Sequence, residues 1–180
     1  AFKIGYSMAQ IFNKKLFDYL YVEYAGIRGY KELNANQLSF ICYFFGETRN
    51  PSAKEMLLQL TFDKNVKVQS SAINALGKII LDTNDKRSTT VQNSESKINV
   101  LTIESTETFI KKVSARLLEI TNEDSDSKIL YKDIAHALKN YKSVQSFEAY
   151  KKLLFNDYYG PRFIASEGLK PYWTEIEITD

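Results

Sequence analysis

Asn65-Val-Lys-Val-Gln-Ser-Ser-Ala-Ile-Asn-Ala-Leu-Gly-Lys-Ile-Ile80 is the most regular amphipathic stretch of the chain, and the rest can be ordered around it. Val68, Ala72, Ala75, Leu76 and Ile79 fall at i, i+4, i+7, i+8 and i+11. That spacing puts five apolar side chains on one stripe of an α-helix. The same stripe returns at fixed distances. Phe45 stands 31 residues before Leu76, Leu138 stands 62 after it, and Leu169 a further 31 on. The neighbouring columns keep step: Ile41, Ala72, Ile134, Ala165; then Phe44, Ala75, Ala137, Gly168; then Thr48, Ile79, Tyr141, Tyr172. Small residues recur in the column of Ala75 and Ala137, which implies close helix approach there.

A second, shorter apolar segment precedes each of these helices: Leu16 to Tyr24, Ala53 to Leu60, Phe109 to Ile120 and Phe147 to Phe155. The unit is therefore helix, turn, helix, repeated about four times. A period in the thirties with two helices per unit is the signature of an α-solenoid, because a lone helix pair cannot bury its apolar stripe and must share it with neighbours. The double interval between Leu76 and Leu138 then holds one unit enlarged by an insertion at about 82–104. That run is polar, lacks helical periodicity and reads as a long loop.

The remaining boundaries follow from local signals. A helix is expected from about Asn34 to Gly46, and Pro51 suits the first position of the next. Ser105 is the expected cap of a helix reaching Ile120, with Thr106 and Thr108 as rivals. Ser127 or Lys128 to Tyr141, Val144 to Phe155 and Tyr159 to Tyr172 complete the series. A tail at about 174–180 alternates through Ile176 and Ile178.

Composition agrees with an all-α fold in a single domain spanning 1–180. Seven Gly and three Pro are few for a sheet or a loop-rich fold. At 44% apolar and 26% charged residues the chain is of ordinary globular composition, which argues against disorder throughout. The formal charge of +2 makes no general case for nucleic acid. Twelve Tyr and eleven Phe suit interhelical spaces, with an exposed subset able to form a binding face. The single cysteine, Cys42, excludes an internal disulfide, and no apolar run approaches the roughly 20 residues that span a bilayer. The chain opens at Ala1 inside an apolar pattern (Phe2, Ile4, Tyr6, Met8) and reads as a processed chain or a piece of a larger protein, which leaves its compartment open.

Asp63 to Ile79 resembles the turn and second helix of a HEAT-like repeat, in which an Asp or Asn turn leads to Val, then Ala, then Ala-Leu-Gly. Asn156 to Leu169 resembles it less closely, with Pro161 in the Val place and Gly168 for Ala. Gln37 to Gly46 keeps the spacing with bulkier side chains. The resemblance spans about residues 13 to 172. It implies stacked helix pairs with the second helices lining a concave side. Tetratricopeptide and ankyrin arrays are the rivals, and their aromatic-Pro and Thr-Pro-Leu-His patterns are missing here.

Candidate chemistry is sparse. His136 is the only histidine, with Asp133 three residues earlier, a spacing common by chance. Cys42 lies in the apolar Phe40 to Phe45 run and reads as an inert core thiol. Asp124 and Asp126 lack calcium-loop spacing, and neither a Gly-rich phosphate loop nor a nucleophile elbow occurs. No catalytic residue, cofactor or metal site is therefore assigned. The lysine pairs Lys14-Lys15, Lys111-Lys112 and Lys151-Lys152 lie on first helices and read as a solvated convex face. The polar positions of the second helices, Lys67, Ser70, Asn74, Lys132, Asp133, His136, Arg162 and Glu167, form the expected contact surface, with Lys67, Ser70 and Asn74 left free to bind. Its mixed signs suit a protein or peptide partner better than a polyanion. Two other roles stay open. One is an accessory domain of a larger enzyme. The other is an alkylated-base DNA glycosylase of HEAT-like fold, although the only tryptophan, Trp173, falls beyond the last repeat.

Overall fold

The computed structural model describes residues 33–49, 51–79, 106–123 and 126–176, and among these all regular structure is helical. Seven α-helices follow in order: α1 (Ala35–Thr48), α2 (Lys54–Leu60), α3 (Val66–Leu76), α4 (Thr106–Asn122), α5 (Tyr131–Ala137), α6 (Val144–Leu154) and α7 (Tyr159–Ile176). Short 3-10 segments at Pro51–Ala53, Asp126–Leu130 and Leu138–Asn140 lead into or out of them.

Local chemistry sets the starts. Asn34 accepts from the backbone of Asn36 and Gln37, while the Gln37 side chain returns the bond, a complete capping box for α1. Asn65 accepts from Lys67 N at 3.0 Å and donates its own N–H to Asp63 at 2.8 Å, so the Asp63-Lys64-Asn65 turn and the start of α3 are one device. Ser143 caps α6 by accepting from Ser146 N. The expected Ser105 cap, the 82–104 insertion and the first-repeat helix at 13–25 lie outside the described residues.

Three boundaries differ from the sequence expectation. The opening stretch is helical only to Leu76, with Gly77 as its cap, although Ile79 is still fully buried. The expected helix from 127 or 128 to Tyr141 has a short α-helical centre between two 3-10 segments, the tightened form helix ends adopt. The last helix continues to Ile176, so the tail placed at about 174–180 is helical through its first residues and Trp173 is part of α7. Pro171 lies inside that helix and lacks the N–H that would bond one turn back.

The packing forms two rows. In one, α1 packs on α3, α3 on α5, and α5 on α7; in the other, α4 packs on α6. The first row leans on the second through α2 against α3 and α6 against α7. Every member of the Phe45, Ile41 and Phe44 columns is buried, as the stripe requires. Gly46 and Gly77 set how closely the row packs. A Cβ on Gly46 would stand 2.8 Å from Ala75 Cα, and one on Gly77 would stand 2.9 Å from Ala137 Cα. Helix α3 therefore touches α5 directly across the 80–105 segment, backbone against backbone.

Arg116 braces the second row, a role its sequence position did not signal. Its stem is buried on α4; the guanidinium donates to Thr61 O at 3.0 Å, pairs with Glu119 and Glu123, and lies 4.0 Å above the Phe62 ring. It thus satisfies a carbonyl at the end of α2 that the helix itself leaves unpaired.

Candidate functional site

The α3-α5-α7 part of the row carries all eight residues expected to form a contact surface, but four of them are bound across helix junctions and a fifth, Glu167, within its own helix. Lys67 donates to Asn36 at 2.9 Å across the α1–α3 junction. One turn from the other end, Lys78 pairs with Glu47 at 2.5 Å and lies over the Tyr43 ring. Both pairs join residues 31 apart in sequence, the repeat interval itself. At the α3–α5 junction Asp133 takes two bonds: Ser70 Oγ donates to one oxygen at 2.6 Å and Asn74 Nδ2 to the other at 2.8 Å. Lys67, Ser70 and Asn74, expected free, are thus cross-helix clamps.

The end of α3 is closed by the next unit. Tyr141 is fully buried and its hydroxyl donates to Leu76 O at 2.8 Å. Asn140 Nδ2 donates to Gly77 O at 2.5 Å. These are carbonyls the helix cannot satisfy alone. Burial also pushes the Tyr141 and Tyr150 phenols well above their ordinary range, which keeps both as neutral donors.

What remains available is a basic stripe on α5 and its exit. Lys132, His136, Lys139 and Lys142 are exposed, and none of the three lysines makes an ion pair or hydrogen bond with a described residue. Arg162 on α7 is likewise exposed and unpaired, whereas Glu167 pairs with Lys170 of its own helix at 2.8 Å. The His136 pKa is lowered, first by partial burial, then by Lys139 and Lys132, with Asp133 opposing them. The hydrogen bonds shown for Asp133 run to Ser70 and Asn74, and none joins it to His136 among the described residues.

Beside this stripe a cleft of about 310 Å³ opens between the turn at 138–142, which follows α5, and α7. Pro171 and Tyr172 give it an apolar wall, the buried Leu138 and Tyr150 lie beneath, and Lys139 and Lys142 line one lip. Lys139 and Lys142 were not among the expected surface residues. The signal was present in the register: Lys139 stands 62 residues after Gly77, in the place where the two earlier junctions have glycine.

The other surfaces read differently. Lys111 pairs with Glu107 at 2.8 Å, Lys151 with Glu148 at 3.2 Å, and Lys152 donates to Asn122, so the second-row lysines are satisfied locally. Cys42 is fully buried, and burial pushes its thiol up to about 12, an inert core position. Tyr159 and Phe163 stack at 5.9 Å on α7 and are more than half exposed, as is Trp173 further along the same helix. Among the described residues no group of three or more His, Cys, Asp or Glu could hold a metal ion, and no helix is long and apolar enough to cross a membrane. No family model, no curated protein and no solved structure matches this chain.

Proposed function

We propose that the chain is an α-solenoid of about four HEAT-like helix-turn-helix repeats, acting as a non-enzymatic scaffold that binds another protein or peptide along the exposed edge of its second helices. The pairing of residues 31 apart, Asn36 with Lys67 and Glu47 with Lys78, carries this reading. Equivalent side chains meet across a junction only when successive units stack in register, which is how solenoids build an extended binding edge. The unpaired Lys132, Lys139, Lys142 and Arg162 supply charges on that edge that the fold itself does not consume.

Affinity capture with the parent chain and with a Lys132→Glu, Arg162→Glu double variant tests the reading. The captured partner should be lost from the variant while its helical circular dichroism is unchanged. Undiminished capture would remove the second-helix edge from consideration. A gel shift with alkylated DNA tests the glycosylase alternative directly, and retardation there would replace the scaffold reading.

A further inference from the structure

The third junction of the helix row is built unlike the other two. At α1–α3 and α3–α5 a glycine of one helix lies against an alanine of the next, Gly46 on Ala75 and Gly77 on Ala137. Carrying the same register forward pairs Lys139 with Gly168. The side chain and the gap have changed places. The space over Gly168 is filled from beneath by the Tyr150 ring, whose atoms would lie 2.3 to 2.7 Å from an added Cβ. The Tyr150 hydroxyl is held by Ala135 O at 3.3 Å, which fixes the ring as a floor. Lys139 is left at the edge, and the cleft opens beside it.

Polar pairing changes at the same place. Across the first two junctions the edge side chains bond one another, as Lys67–Asn36, Lys78–Glu47 and Ser70 and Asn74 with Asp133. On the α5 side of the third junction Lys139 and Lys142 bond no described residue, and on the α7 side Glu167 turns to Lys170. Two unpaired ammonium groups thus flank an apolar wall in a concave site. Lys132, one turn before His136 on α5, extends the positive strip away from the cleft.

We propose that the cleft between the exit of α5 and α7 is the specificity pocket of this edge and takes an acidic peptide segment, an apolar side chain seated against Pro171 and Tyr172 with flanking carboxylates on Lys139 and Lys142. This rests on the scaffold reading and names the chemistry its partner presents. The cavity volume suits one or two side chains, at the small end of ligand pockets. A carboxylate fits better than a nucleic-acid backbone. The strip offers few cations, and the chain as a whole is nearly balanced in charge, whereas a nucleic-acid backbone needs an extended basic surface.

The test is fluorescence anisotropy with a labelled synthetic peptide carrying leucine between glutamates, a lysine-flanked counterpart and a labelled single-stranded oligonucleotide. The glutamate peptide should bind; the lysine peptide should not. Lys139→Glu with Lys142→Glu should weaken binding about tenfold or more, while Lys151→Glu on the other row should leave it unchanged. Binding should also raise the pKa of the single imidazole, His136, read by its own NMR resonances. The proposal is overturned by no binding of the glutamate peptide, by equal binding of the lysine peptide, by tighter binding of the oligonucleotide, or by indifference to the double reversal. If the captured partner is lost with Lys132→Glu, Arg162→Glu yet retained by Lys139→Glu, Lys142→Glu, the cleft assignment fails and the scaffold reading stands. If neither pair matters, the scaffold reading itself fails.

Discussion

Gly77→Ala probes the packing of the helix row most directly. Gly77 has ordinary helical backbone angles, φ −62° and ψ −14°. Alanine there should therefore gain about 0.4–1 kcal/mol by restricting the unfolded chain. The packing opposes this. The new Cβ would lie 2.9 Å from Ala137 Cα, 3.2 Å from Ala137 Cβ and 3.4 Å from Asn74 O. Ala137 Cα is backbone, so no side-chain rotation relieves the clash. Restoring the optimal carbon separation of about 3.5–4.0 Å requires α3 and α5 to part by roughly 0.6–1.1 Å. A gap of that size forfeits about a quarter to a half of each contact along the junction. It also stretches the Ser70–Asp133 and Tyr141–Leu76 bonds, now 2.6 and 2.8 Å. Overpacking of this kind costs about 1–3 kcal/mol, and the rigid partner puts Gly77 in the upper half of that range. After the backbone gain, the net loss should be about 1–2 kcal/mol. Urea denaturation followed by far-ultraviolet circular dichroism measures it. Gly160→Ala is the internal control: nothing lies within 4 Å of its added Cβ, so that variant should gain about 0.4–1 kcal/mol. Equal stabilisation by both substitutions would refute the backbone contact between α3 and α5.

Three further outcomes can be measured. Asp133→Ala should lose about 1–2 kcal/mol, reduced from two full charged hydrogen bonds because the residue is partly exposed; a double-mutant cycle with Asn74→Ala should return a coupling between them, and strict additivity would contradict the clamp. Cys42 should resist thiol reagents in the native chain, since its pKa of about 12 and its complete burial suppress the thiolate, and should react only as the protein unfolds; rapid native labelling would refute its core position. His136 is lowered from 6.5 by burial and by Lys139 and Lys132, against Asp133. The unfolded chain then takes up the proton first as pH falls, so stability present above 6.5 is lost as pH drops through 6.5 and levels off below the folded value. His136→Asn should flatten that dependence, and an identical pH profile in parent and variant would contradict it.

Much of the fold was legible because burial in a helix is periodic. The columns through Phe45, Leu76, Leu138 and Leu169 needed only a 31-residue interval and the 3.6-residue turn, and all four leucine or phenylalanine side chains are buried. The candidate site was legible only in outline. Lys132, His136 and Arg162 lie exposed on the expected edge, because the side of a helix that avoids the apolar stripe must meet solvent. Lys67, Ser70, Asn74 and Asp133 share that edge but are bound across junctions. Periodicity reports which way a side chain leaves its own helix and nothing about the lateral offset of the next helix. Ser70 meets Asp133 because Gly77 allows α3 and α5 to touch. Arg116 was missed for a related reason: its charged end is stabilised by Thr61, a residue far away in sequence that no local pattern connects to it.

The amino-acid sequence by itself determined the all-helical class, the buried stripe of each second helix, the helix starts near Asn34, Asn65 and Val144, and the exposed strip that includes Lys132 and His136. These are local properties, set by side-chain period and backbone hydrogen bonding within a few residues. The tertiary structure alone decided where α7 continues past Pro171, which edge residues become clamps, and that Lys139 and Gly168 exchange the roles held by Gly77 and Ala137 one junction earlier. Those outcomes depend on distances between helices, and such distances arise only when whole rows of side chains pack together.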